Sequence, residues 1–202
     1  MNAGFTIRLN TVIIMLISII SIFLAPCKSK PCKNNGLCIP TDDSRGFKCQ
    51  CQLRPTLMKV RKENCAENVA LHKQASQSST HKTYVATNAV SGKNSPGAST
   101  KQGHNVHWWQ VDLGSLKMIR EIDVRVRFRP NGGVFKVMAG NTSDISQFRK
   151  CHNIENKKKL DLVKQLSFKC HGGNVVARLV RVEFANIYAL AIQEMTIFGW
   201  DA

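Results

Sequence analysis

Acidic residues are scarce in this chain. Thirteen Asp and Glu stand against 29 Lys and Arg over 202 residues, a formal net charge of +16. That imbalance points to anionic partners: acidic glycans, acidic proteins or anionic lipid surfaces. Long apolar runs are missing as well. TVIIMLISIISIFLA, which ends at Ala25, has about 15 residues where a membrane-spanning helix needs roughly 20. With Arg8 before it and a small residue at its end, it reads as a secretory signal peptide over residues 1–25. Pro26 would follow the cut, so an uncleaved signal anchor at the cell surface is the alternative. Either way the rest of the chain is expected to be secreted or extracellular, which argues against nucleic acid as a partner.

Two further absences narrow the class. Long amphipathic helices are missing; KKKLDLVKQL (157–166) would make one short helix at best. G-x-S-x-G, H-E-x-x-H and a phosphate loop are also missing, so the chain reads as a binding protein rather than an enzyme. His72, His81, His104 and His107 are accordingly read as surface or edge residues.

Cysteine, by contrast, is plentiful. Eight are present: Cys27, Cys32, Cys38, Cys49, Cys51, Cys65, Cys151 and Cys170. Six fall within 39 residues, a density expected of a small secreted module with too little core to hold itself. The spacing alone leaves 15 pairings of those six open. Residues 26–65 carry nine Lys or Arg against three acids, and residues 66–202 carry nineteen against ten, so both parts are basic.

CKSKPCKNNGLCIPTDDSRGFKCQC followed by Cys65 resembles the EGF-like family, with its C-x-N-x-G-x-C heart at Cys32-Lys-Asn34-Asn-Gly36-Leu-Cys38. Gly36 is expected to permit a tight turn, and Phe47 to supply one of few apolar contacts. The resemblance implies the pairs Cys27–Cys38, Cys32–Cys49 and Cys51–Cys65. It also marks Ser29, in C-x-S-x-P-C, for O-glucosylation. The family's calcium-binding acidic cluster before the first cysteine is missing, and the loop after Cys51 lacks the usual glycines and aromatic residue.

From Asn68 the pattern changes. Ile122, Val124, Val126 and Phe128 alternate with Asp123, Arg125 and Arg127; Val180, Val182 and Phe184 alternate with Arg181 and Glu183. Period two means half-buried strands. SGKNSPG, RPNGG and CHGGN punctuate them as turns. The expectation is an all-β chain: a small disulfide-rich module over 26–65, then an antiparallel β-sandwich over 66–202.

NVALHKQASQSST, ATNAVSG, HWWQVDLGS, VFKVMAGN and IQEMTIFG resemble, in order, the phrases of the F-type lectins (fucolectins), and together they cover residues 67–199. The resemblance implies a jelly-roll sandwich and a disulfide between Cys151 and Cys170, worth ~3 kcal/mol in the chain-entropy model. The histidine after each, His152 and His171, makes a Cys2His2 zinc site the alternative, which a secretory route disfavours. Trp108 and Trp109 point to opposite faces of one strand and serve as the wall of the fold rather than the pocket.

In that family a histidine and two arginines grip fucose. Arg127 falls at the first arginine, and Arg129 is the nearest substitute for the second. The histidine's place falls at Thr100 or Lys101, with His104 several residues closer to the tryptophans. Carbohydrate contacts are therefore expected from Lys101, His104, Arg127 and Arg129 around a degenerate fucose site. The resemblance also implies calcium, held by Asn88, the Gln193 carbonyl and Glu194. Ser91 and Lys93 stand where Asp and Asn are expected, which weakens such a site, and Glu194 pairing with Lys93 is the alternative. Asn141, in Asn-Thr-Ser, is an N-glycosylation acceptor. The functional expectation is a secreted protein that binds extracellular glycans or glycoproteins, acidic ones above neutral fucose. The rival is an adhesion or signalling protein whose lectin fold contacts a protein or an anionic membrane, because discoidin-type domains share the VDLG phrase.

Overall fold

The structure, a computed structural model, describes residues 26–52, 60–93, 96–128, 133–156, 162–170, 173–185 and 188–202; the side chains of 127, 128, 133, 152–156 and 162–164 are not described. The signal segment at 1–25, Arg129 and His171 lie outside the described residues. Contacts divide the chain into two compact units: one runs to Leu53 and includes Arg61–Cys65, the other comprises Arg54–Val60 and Ala66–Ala202.

The smaller unit is built on one antiparallel hairpin, β1 (Leu37–Pro40) with β2 (Phe47–Gln50), in which Cys38 faces Cys49. Disulfides join Cys27 to Cys38, Cys32 to Cys49 and Cys51 to Cys65. Each closes a loop of 11 to 17 residues, worth ~3 kcal/mol apiece in the chain-entropy model. Those links stand in for an apolar core. Gly36 has a different role from the expected one. The left-handed turn falls on Asn34 (φ 50) and Asn35 (φ 59), whereas a Cβ on Gly36 would collide with the Cys65 sulfur. Glycine is needed there for close approach, and asparagine supplies the turn. Asn34 Nδ2 also donates to the Cys65 carbonyl at 2.7 Å.

A short β3 (Val60–Arg61) separates the hairpin in sequence from the strands of the larger unit. These are β4 (Ala66–Asn68), β5 (Gln74–Gln77), β6 (Ala98–Ser99), β7 (Val106–Phe128), β8 (Gly133–Gly140), β9 (Arg149–Asn156), β10 (Leu162–Phe168), β11 (Val175–Ala185) and β12 (Ala191–Asp201). All their pairings are antiparallel.

The 23-residue β7 organises the sandwich. Its first part pairs with β5 and β11, and β8 and β9 follow beyond β11. Its last part pairs with β10 and β12, whose far edge carries β4 and β6. The strand passes from one layer to the other near Gly114, whose φ of +85° suits glycine alone without strain. β11 and β12 accommodate the bend with register shifts between Ala177 and Leu179 and between Phe198 and Gly199.

The alternating apolar residues fill the space between the layers. Ile122, Val124 and Val126 are fully buried and meet Trp109, Val111, Phe135, Val137, Val180, Val182, Phe184, Met195 and Ile197 in one cluster. Phe135 packs edge-on to Phe184 at 5.6 Å and tilted to Phe168 at 5.9 Å. Cys151 and Cys170 are buried and bonded, tying β9 of one layer to the chain just after β10 of the other. Where a short helix was the most that the pattern offered, residues 162–168 form β10, because the free edge of β7 supplies hydrogen-bond partners along its whole length. Tertiary pairing overrode local propensity there.

Candidate functional site

One end of the sandwich gathers the connections the sequence marked. Val106 at the start of β7 lies opposite Ala185 at the end of β11, which in turn faces Val134 near the start of β8. Arg127, at the far end of β7, faces Ala191 at the start of β12. The segments 78–85, 100–105 and 188–190 therefore emerge together.

Backbone and polar side chains lock those segments to one another. Gln77 Nε2 donates to the carbonyls of Tyr84 (3.0 Å) and Ser99 (3.2 Å). His81 N donates to Ser99 O, and Ser99 N to Tyr84 O. Thr100 N donates to Leu190 O, Leu190 N to Thr100 Oγ1, and Lys101 N to Ser79 Oγ. Such cross-links hold the loop ends in one geometry before any ligand arrives.

His107 overturns the reading of it as a surface or edge residue. It has no exposed surface, and its Nδ1 lies 2.8 Å from Thr100 Oγ1. That hydroxyl accepts from Leu190 N and also lies 3.4 Å from Leu190 O, to which it can donate. Thr100, one of the two positions (with Lys101) that the lectin resemblance gives to a gripping histidine, is thus buried and committed to internal bonds.

The accessible groups here are Lys101 and His104, both exposed, with the His104 ring edge-on to His107 at 5.9 Å. The backbone of Arg127 reaches this end; its side chain, and all of Arg129, lie outside the described part. Beside Lys101 and His104 stand residues that sequence reasoning passed over. Tyr84 stacks on His81 (6.1 Å between centroids, 15° between planes), and Lys82, Val85, Val106 and Tyr188 are exposed. The available signal was T-H-K-T-Y after a strand: two rings and a cation in a polar turn.

The paired tryptophans divide as their alternation requires. Trp109 is buried and donates Nε1–H to Ala86 O at 2.9 Å. Trp108 is half-buried on the outer face, where the Arg181 guanidinium lies 4.2 Å from its ring centre.

The implied calcium ligands do not form a cage. Asn88 Nδ2 donates to the carbonyls of Thr83 (3.3 Å) and Gly97 (3.2 Å), and Asn88 O accepts from Ser91 Oγ (2.9 Å). Glu194 is buried with Arg125 as its register partner, and Gln193 sits at the register shift between Ile192 and Glu194. Among the described residues no three His, Cys, Asp or Glu side chains come together to hold a metal. A hard dication wants free oxygens, and the Asn88 side chain presents its amide hydrogens to two carbonyls instead. As oriented here, Asn88 does not present its side-chain oxygen as a ligand.

Elsewhere, Asp112 accepts two hydrogen bonds from Arg178 (2.8 and 2.6 Å) and one from Gly114 N. The Arg178 hydrogen bond, aided by the Gly114 N–H and the nearby charges of Arg178 and Lys73, holds its carboxyl below the usual range. Asp144 is likewise lowered, chiefly by the Ser146 side chain and backbone N–H it caps.

An antiparallel sandwich with its connections gathered at one end defines a class, and the sequence places the chain within it. Residues 74–193 match the F5/8 type C domain, and the chain belongs to that family. Among solved structures it is similar to a fucolectin from striped bass serum (21% identity, TM-score 0.56, 68% of this chain and 50% of that one). It is similar also to a lectinolysin lectin-binding domain complexed with Lewis b (27%, TM-score 0.51, 67% and 97%). A chitosan-binding module from a Paenibacillus sp. IK-5 chitosanase/glucanase shares the fold (19%, TM-score 0.54, 65% and 98%). The chain spans half the length of the striped bass protein. No curated protein sequence matches it.

Proposed function

We propose that this is a secreted, non-catalytic glycan-binding protein whose sandwich takes sugars at the locked loop end, following an EGF-like module. The observation that carries the reading is the cluster at that end: half-buried His81 with exposed Lys82, Tyr84, Lys101 and His104 on segments cross-linked by hydrogen bonds, with the β7 position of Arg127 beside them. Flat rings beside hydrogen-bonding cations suit sugar, whose faces are apolar and whose rims are polar. The lectinolysin domain's complex with Lewis b supports the ligand class.

Acidic glycans are preferred over neutral fucose. Of the two places the lectin pattern gives to a gripping histidine, Thr100 is bonded internally and the other holds Lys101, and each missing charge-assisted bond to fucose costs roughly 1.5 to 3 kcal/mol. Lys82, Lys101 and Arg127 offset part of that loss for a sialylated or sulfated ligand. A glycan array at low and high salt tests this: acidic glycans should dominate at low salt and fade as salt rises, because exposed charges are screened beyond about 10 Å at 0.1 M. Tight, salt-insensitive binding of free fucose would refute it.

A second reading is favoured by the apolar groups at the same end. Val85, Val106 and Tyr188 are exposed beside the cations, a pattern that also suits an anionic membrane or a protein partner. Co-sedimentation with phosphatidylserine vesicles, with no glycan hit on the array, would decide for it.

A further inference from the structure

The solvent face of the five-stranded layer holds a buried charge. Arg181 turns away from the interior that Val180 and Val182 fill, yet its side chain is only 8% exposed. Its guanidinium covers the Trp108 ring, and Nε donates to Glu183 Oε1 at 2.8 Å. A guanidinium carries five N–H donors, and this contact uses one. Among the described residues the two terminal nitrogens take no partner, and neither is sealed from solvent. Those donors therefore stay available to acceptors that arrive from solvent.

The surroundings suit an anion. Met138 is the register partner of Arg181, Lys136 that of Glu183, and Lys150 that of Met138. Alternation against buried Val137, Ala139 and Cys151 puts Lys136 and Lys150 on the same outer face as Arg181. Lys136, Lys150 and Arg181 thus share that face with two carboxylates among the described residues, Glu183, which Nε already engages, and Asp112, which Arg178 engages. The ring stack and the Nε bond hold the guanidinium plane, so little rotamer freedom remains to be lost on binding. Half-buried Trp108 adds an apolar surface next to the fork.

We propose that this face is a second glycan subsite, separate from the loop end, in which Arg181 receives the carboxylate or sulfate of an acidic sugar through its two terminal nitrogens. Lys136 and Lys150 add charge, and Trp108 lies against the sugar ring. The ligand class rests on the glycan-binding reading; the location does not depend on any loop-end residue.

The test titrates the full chain with a heparin-derived hexasaccharide and with sialyllactose, read by calorimetry and tryptophan fluorescence, with inorganic sulfate as a control. Arg181→Lys keeps the charge and loses the fork. It should weaken hexasaccharide or sialyllactose binding by about tenfold, the scale of one charge-assisted hydrogen bond. Trp108→Phe should remove the fluorescence response, and Lys101→Ala with His104→Ala should leave that response in place. If Arg181→Lys does not fold by circular dichroism, Lys136→Ala with Lys150→Ala decides, and should weaken the hexasaccharide several-fold. Wild-type affinity in both variants overturns the subsite while leaving the loop-end reading intact. Loss only in the Lys101, His104 variant does the same. Inorganic sulfate bound as tightly as the hexasaccharide overturns the assignment to a saccharide.

Discussion

Asp112 and Arg178 form a fork-to-fork pair on the outer surface, and its pH dependence has a definite sign. The folded state lowers the carboxyl, so the pair stabilises above the ordinary Asp value and that contribution is lost as pH falls through the depressed one. Arg178→Gln should therefore lower the melting temperature at neutral pH and converge on wild type in strong acid. Solvent screening keeps the contribution of such an exposed pair small. A gap in melting temperature that widens on acidification would contradict this assignment. Gly36 makes a sharper case. Gly36→Ala drives a methyl into the Cys65 sulfur, and overpacking of this kind costs roughly 1 to 3 kcal/mol. Secreted Gly36→Ala protein should show mispaired Cys51 or Cys65 on non-reducing peptide mapping, whereas Asn35→Gly, which keeps the left-handed turn open, should not.

At the scale of elements, the link between β9 and the end of β10 is the one to break. Cys151→Ala with Cys170→Ala opens a 19-residue separation, and thermal denaturation should show a loss of about 3 kcal/mol. Strands were legible from sequence wherever one face met the interior: Ile122, Val124 and Val126 announce their burial by period two. The same pattern puts Arg181 on the outer face but does not show its burial, because alternation tells which face a residue occupies and not whether it packs against a neighbouring ring. His107 was hidden for a related reason. Its burial depends on Thr100 and on Leu190, the latter 90 residues from Thr100, and no local pattern encodes that meeting. The described part of the helix-like run, from Leu162 on, is a strand because of an open edge elsewhere in the chain. Of the loop-end groups, Lys101 and His104 were singled out by the lectin resemblance, while Tyr84 and His81 become neighbours only once their turn is closed.

For the whole molecule, charge and modification are the testable properties. Asn141 is exposed in the turn after β8, followed by exposed Thr142 and Ser143, which suits a glycan there. Enzymatic deglycosylation of secreted protein should reduce its mass, and Asn141→Gln should abolish the change. Calcium should leave the protein indifferent. Asn88 already closes the loop onto Thr83 and Gly97, so melting in calcium and in chelator should coincide; a rise with calcium would mean that the amide turns over to offer its oxygen.

Because β7 belongs to both layers, the sandwich has no seam along which it can come apart. In a fold of two sheets joined only by loops, one layer can open while the other stays closed. Here the hydrogen bonds of both converge on a single continuous strand, and fraying at either end of it strips partners from β11 or β12. Amide exchange should thus reveal one cooperative unit, with the slowest protons along β7 on both sides of Gly114 sharing a common opening free energy.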